Sequence, residues 1–260
     1  MFFNRFNLHG KTALVNAPQN DYATEVAIGL VQAGAQVWLC GDITSIKKSA
    51  EQAKEAGAPI SGLISYIQGT EESAKELAQT VKSTIGKIDI FVDASANVSC
   101  RGWSKSFDEI SLLFKQLQTG LIMTVKHIGL YMAEAQSGSV LFLTNYGALV
   151  GYDVHNYTKQ DEFEQDFSLV NGFLCGSYVN YTRQAAGYLG ENNIRCNCLA
   201  YAPLTGKKSK DFEEKFIRHS HLKRMASVED VQSAAVFFAS DASSYITGVT
   251  LPIDGGYTAK

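Results

Sequence analysis

The side chains that could do chemistry are few, and several fall in one polar and aromatic stretch, residues 151–170. It carries His155, Tyr157 and Lys159. An imidazole is the side chain whose ordinary pKa suits proton transfer near neutrality; a solvated loop with a surface histidine would hold the same residues. Cys40, Cys100, Cys175, Cys196 and Cys198 show neither a disulfide nor a zinc spacing. Cys196 and Cys198 would share one face of a strand without a second ligand pair, so packed thiols and no metal are expected. Lys207, Lys208, Lys210, Lys215, Arg218, His219, His221, Lys223 and Arg224 form a basic run that could attract an anionic substrate. Asp211, Glu213 and Glu214 interleave with it, which is the pattern of a solvated helix face.

These groups must be positioned by elements that alternate along the chain. Apolar runs predict strands over 12–15, 36–39, 64–68, 88–92, 139–143, 195–199 and 250–253. Helical periodicity predicts helices over 24–32, 43–54, 72–84, 108–132, 172–189 and 228–239. Alternation of this kind predicts an α/β fold: a single Rossmann-like domain over residues 1–260, with a doubly wound parallel sheet and helices on both faces. With 260 residues, 45% of them hydrophobic, the chain can bury one full core. A net charge of −3 gives no reason to expect nucleic acid as a partner. No stretch reads as a signal peptide or a membrane span, so a cytoplasmic protein is expected.

The first strand leads into a turn and a helix, where a nucleotide-binding fold would place glycines. Glycines there let the backbone approach a pyrophosphate, and the helix offers N–H groups and its positive dipole end. Here the turn reads Asn16, Ala17, Pro18, Gln19, Asn20, Asp21, Tyr22, Ala23, without a glycine. Pro18 lacks an N–H. A carboxylate at Asp21 would stabilise the helix end yet repel a phosphate from it.

The C-terminal stretch carries Arg224, Met225, Glu229 and Asp230 in an R-M-x-x-x-E-D pattern, then S-D-x-x-x-x-I-T-G and D-G-G-Y. With GSYVNYTRQAAGYLGENNIRCN (residues 176–197), it closely resembles the short-chain dehydrogenase/reductase family across nearly the whole chain. That resemblance places the family's nucleotide glycines and their neighbour at Asn16, Ala17, Asp21 and Ala23. Its ribose-reading acid falls near Asp42, which is also a good helix N-cap, and its other cofactor contacts fall at Gln68 and Asp93. It places the catalytic tyrosine at Asn171, the lysine at Cys175, the asparagine at Leu117, and the serine at Thr144 or Asn145. A tyrosine acid/base with a pKa of about 10 needs a nearby cation to act at neutral pH. No tyrosine in the chain precedes a lysine by four residues.

The resemblance therefore implies a degenerate member that binds no NAD(P) and has no catalytic residues. It also implies subunit contacts through the last strand and through the long fourth and fifth helices. The latter carries Phe173, Leu174, Tyr178, Val179, Tyr181 and Tyr188. The expected partner is an active paralogue in a hetero-oligomer, a tetramer by the family's symmetry. Such pairs include the benzylsuccinate-pathway alcohol dehydrogenases of anaerobic toluene degradation, which act on a coenzyme A thioester, and the chain resembles their inactive subunit. Two alternatives stand beside this: a remodelled enzyme using Thr144 and His155, or a ligand-sensing protein using the former nucleotide cleft.

Overall fold

The computed structural model describes residues 2–17, 20–96, 105–158 and 169–259. Pro18, Gln19, Cys100 and residues 159–168 of the polar and aromatic stretch, Lys159 among them, lie outside them. Strands β1 (Thr12–Asn16), β2 (Gln36–Gly41), β3 (Gly62–Ser65), β4 (Ile90–Asp93), β5 (Gly138–Asn145), β6 (Ile194–Tyr201) and β7 (Thr250–Ile253) form one sheet. Their order is β3-β2-β1-β4-β5-β6-β7, and every pairing is parallel. The chain reverses its direction of travel across the sheet between β1 and β4, the place where such folds open a crevice at the carboxyl ends of the strands.

Alternation within the strands explains the two layers of helices. Val15, Leu39, Val92, Leu141 and Leu199 face a core that also receives Val26 and Leu30 from α1 (Asp21–Gln32). Ile46 of α2 (Ile43–Glu55) and Val231 and Phe238 of α8 (Val228–Ala239) complete that side. Leu14, Cys40, Phe91, Val140 and Cys198 face the opposite core, with Leu77 and Val81 of α3 (Glu71–Thr84). Val125 and Ile128 of α5 (Gly120–Ala133) and Leu189 of α6 (Leu169–Gly190) join them. Strands buried on both faces read as continuous apolar runs, which is why the sequence exposes them so clearly.

Two elements depart from their predicted form. The third strand was expected over 64–68, but β3 is Gly62–Ser65. Beyond Ser65 the chain leaves the sheet, burying Tyr66 and turning the Gln68 side chain toward the strand ends. The expected helix over 108–132 divides into α4 (Phe107–Phe114), a π-helical turn (Lys115–Thr119) and α5. Here the helix passes against the chain leaving β3: a Cβ on Gly120 would lie 2.8 Å from the Gly69 nitrogen. The wide turn frees carbonyls from the helical ladder, and that of Gln116 accepts from Gln68 Nε2 at 2.8 Å.

The basic run folds as α7 (Lys210–His219), which is solvated on one face only. Its other face buries Phe212 and Phe216. Phe216 stacks on Tyr257 of the D-G-G-Y signature, with ring centroids 4.1 Å apart. The R-M-x-x-x-E-D signature is also structural. Arg224 grips both carboxylate oxygens of Asp230 at 2.5 and 2.9 Å, and Asp230 accepts the Ser227 N–H in the capping box that starts α8. No helix among the described residues is long and apolar enough to cross a membrane.

Gly120→Ala is expected to cost roughly 1–3 kcal/mol in urea unfolding, because the opposing atom is backbone and cannot step aside. Gly172→Ala meets open space within α6 and should instead stabilise by about 0.5–1 kcal/mol. The Arg224 guanidinium holds the Asp230 carboxyl down to about 2. A carboxyl whose folded pKa is depressed contributes stability above its unfolded value, and that contribution is lost as pH falls from about 4 toward 2. Asp230→Asn should lower the melting temperature at neutral pH and flatten its fall over that acid range.

Candidate functional site

At the carboxyl ends of β1 and β4 the positions that the resemblance assigns to the cofactor hold one another. Asn16 Nδ2 donates to Asp93 Oδ2 and to Gln68 Oε1, each at 2.7 Å. Asp93 is fully buried, and its other oxygen accepts the Ser95 N–H at 3.1 Å and the Ser95 hydroxyl at 2.5 Å. Gln68 Nε2 donates onward to Ser95 Oγ at 3.2 Å, and Ser95 Oγ lies 2.9 Å from the Tyr178 hydroxyl. Burial raises the Asp93 carboxyl above its ordinary range, while the donors from Ser95 and Asn16 oppose that rise. Burial, then the nearby Asp93, push the Tyr178 phenol up, so its hydroxyl keeps its proton.

The start of α1 is capped from within. Asn20 is the N-cap: its Oδ1 accepts the Ala23 N–H at 2.7 Å and its Nδ2 donates to the Ala94 carbonyl at 2.9 Å. Asp21 begins the helix and lies 3.0 Å from Lys207 Nζ, both side chains being about half exposed. Lys207 therefore offsets part of the repulsion an anion would meet at Asp21. The capped helix end and the missing glycines weigh more against a phosphate than Asp21 alone. Tyr22 donates its hydroxyl to the Ala202 carbonyl at 2.9 Å and stacks on Tyr201, joining α1 to the end of β6. Ala17 is buried. Asp42 spends its carboxylate as the cap of α2, accepting from Thr44 and Ser45.

Three positions that the resemblance assigns to catalysis, Asn145, Asn171 and Cys175, close into a ring with Tyr152. Asn145 Nδ2 donates to Cys175 Sγ at 3.3 Å, and the Cys175 thiol donates to Asn171 Oδ1 at 3.2 Å. Asn171 Nδ2 donates to the Tyr152 hydroxyl at 3.1 Å, which donates to Asn145 Oδ1 at 2.9 Å. All four donors run in one direction round the ring, an arrangement in which each bond polarises the next. Of the two candidates for the serine position, Asn145 is the one whose side chain bonds Cys175 Sγ, and the Tyr152 hydroxyl bridges it to Asn171. Thr144 is wholly buried, its hydroxyl 3.4 Å from the Cys175 carbonyl. Leu117 lies in the π turn and packs on Val170 and Leu174.

His155 and Thr144 are not brought together. The His155 ring is exposed and turns to Asp153 Oδ1 at 2.8 Å, within its own 3₁₀ turn. Cys196 and Cys198 are buried, and no metal-holding cluster of His, Cys, Asp or Glu occurs among the described residues. The basic run is partly neutralised: besides Lys207, Lys215 lies 3.1 Å from Asp211 and Arg224 pairs with Asp230. The aromatic load of α6 also divides. Tyr178 and Leu174 point inward and Tyr181 stacks on Phe142, leaving Phe173 and Tyr188 as its large exposed aromatics. Sequence reasoning did not find Tyr152 or the Gln116 carbonyl, since their roles arise from contacts that segments make only in the fold.

A seven-stranded parallel sheet whose order reverses between β1 and β4, with helices on both faces, defines the class as a Rossmann-like α/β protein. A family model described as "Enoyl-(Acyl carrier protein) reductase" matches residues 18–161 and 172–258. The chain is 28% identical to secoisolariciresinol dehydrogenase of Forsythia intermedia, covering 96% of this chain and 90% of that protein. It is 23% identical to 2-dehydro-3-deoxy-D-gluconate 5-dehydrogenase of Dickeya dadantii, with both chains covered in full. Among solved structures, gluconate 5-dehydrogenase from Burkholderia cenocepacia, in complex with NADP and tartrate, superposes over the whole of both chains with a TM-score of 0.83 at 18% identity. The chain belongs to the short-chain dehydrogenase/reductase superfamily, a family of oxidoreductases.

Asp93→Asn removes a buried charge, yet it should destabilise by roughly 1–3 kcal/mol in denaturant at pH 7. The new amide would face the Asn16 amide, donor against donor. Flipping Asn16 and Gln68 to accommodate it would set Gln68 oxygen against the Gln116 carbonyl. A stabilised variant would show that these donors do not hold the carboxylate.

Proposed function

We propose that this chain is a non-catalytic short-chain dehydrogenase-like subunit, which uses no NAD(P) and supports an active paralogue in a hetero-oligomer. The observation that carries this reading is the ring at Asn145, Tyr152, Asn171 and Cys175. A carboxamide at the tyrosine position does not titrate, and a thiol at the lysine position supplies no cation to depress a phenol's pKa. Hydride transfer in this family needs both functions, and nothing in the ring replaces them.

The nucleotide end supports the same reading. NAD(P) would supply the hydride, but the residues here do not fit it. The Ala23 N–H at the helix start is taken by Asn20, Asp42 caps α2, and the Asn16–Asp93–Gln68 cluster is closed within the fold. No step is therefore assigned to the cofactor in this chain. The partner's substrate would be an alcohol, and resemblance to the benzylsuccinate-pathway pairs points to a coenzyme A thioester. Association with the partner would use the exposed apolar residues of α4, α5 and α6, such as Leu112, Ile122, Leu130 and Phe173.

Calorimetric titration of the purified chain with NAD(H) and NADP(H) up to millimolar concentration should give no binding heat. Co-expression with an intact dehydrogenase encoded beside it should yield a mixed oligomer whose partner loses activity or stability when this chain is withheld. Micromolar cofactor affinity would refute the loss of the nucleotide site. A partner equally active and stable alone would refute the supporting role.

A further inference from the structure

We infer that the former substrate position is a built phenol site, and that this chain fills it with its own Tyr152. The Tyr152 hydroxyl lies 2.9 Å from Asn145 Oδ1 and 3.1 Å from Asn171 Nδ2. By register these are the places where a serine and a tyrosine would flank the reacting oxygen of a substrate. Here they offer one acceptor and one donor, the pair a phenolic hydroxyl needs.

Both amides are held before the phenol arrives. Asn145 Oδ1 also accepts the Gly147 N–H at 2.9 Å, and its nitrogen is engaged by Cys175. Asn171 is 8% exposed and Cys175 fully buried, so the far side of the ring is shielded from water.

The walls fit an aromatic ring as well as a hydroxyl. Gly147 lacks a side chain where the ring lies: a Cβ there would stand 2.7 Å from both Cε2 and Cζ of Tyr152. Tyr146 meets the ring edge-on, with centroids 5.1 Å apart at 80°. The turn that carries Tyr152 is anchored separately, Asn156 donating to the Tyr257 hydroxyl at 2.9 Å and Tyr157 packing on Phe212. A slot with a polar end, one aromatic wall and a glycine facing the ring, entered from the para position, selects para-alkylphenols. An aliphatic alcohol lacks the ring and an alkylbenzene lacks the hydroxyl. The inference is independent of the subunit reading and would hold in a homo-oligomer.

The test is to empty the slot and refill it with p-cresol, the side chain of tyrosine as a free molecule. Purified Tyr152→Ala is melted with p-cresol and with toluene, and the wild type is melted alongside. At about ten times Kd, p-cresol should raise the melting temperature of Tyr152→Ala by roughly 3–5 °C. Toluene should give less than half of that, the wild type should not respond, and adding Asn145→Ala should abolish the preference for p-cresol. A folded Tyr152→Ala that ignores p-cresol, or answers toluene equally, overturns the inference. So does a wild type that responds as strongly. If Tyr152→Ala does not fold, Tyr152→Phe decides. It should melt about 2–6 °C below the wild type, and Asn145→Ala should cost less in that background than alone. An unchanged melting temperature, or additive losses, overturns the inference.

Discussion

A carboxylate buried at the end of the central strand pair is the constraint on which this structure turns. Asp93 has no contact with water, and an unpaired charge there would cost several kcal/mol. It must therefore be ringed by donors, and each donor comes from a different part of the chain. Asn16, at the end of β1, and Ser95, just past β4, donate to it directly; Gln68 from the exit of β3 and Tyr178 from α6 bond in turn to Ser95, and Gln68 also accepts from Asn16. Gln68 in turn needs an acceptor, and the π turn before α5 supplies the Gln116 carbonyl. The early end of β3, the break in the long helix and the close pass at Gly120 all meet at Gln68, which Asn16 joins to the buried carboxylate.

That dependence explains what the sequence could and could not reveal. The strands and the helix faces were legible because a sheet buried on both sides demands unbroken apolar runs, and β7 matches its predicted bounds, Thr250–Ile253. Periodicity could not show that the helix over 108–132 would break, since Lys115–Thr119 continues the helical pattern without interruption. The break answers Gly69 and Gln68, which are distant along the chain. The positions that the family resemblance singles out were legible in the same limited way. The resemblance sets Asn171 where the family has a tyrosine, but does not show that Tyr152, from the segment after β5, would bond to it.

The C-terminal signatures persist for reasons that need no chemistry. Asp254 accepts the Gly256 and Thr258 N–H groups at 2.9 Å each, and the Arg195 guanidinium reaches Ser243 Oγ at 2.8 Å. These bonds close the last turn and fix the end of α8 against the sheet. A chain can surrender catalysis and still require every one of them to fold.

On the reading proposed above, the two halves of the site have reached the same physical solution. A working site keeps polar groups under-satisfied so that a cofactor or substrate can complete them, and it gives up stability to do so. Once ligands no longer come, each such group must be deleted or given a partner from the chain itself. Leu117 exemplifies deletion, an apolar side chain packed on Val170 and Leu174. The Asn16–Asp93–Gln68 cluster and the Tyr152 ring exemplify internal partnership. The second course leaves a trace that the first does not: a side chain standing where a ligand's polar atom would stand, in reach of the groups that would have bound it. Tyr152 is that trace, and its hydroxyl preserves the outline of the site it closes.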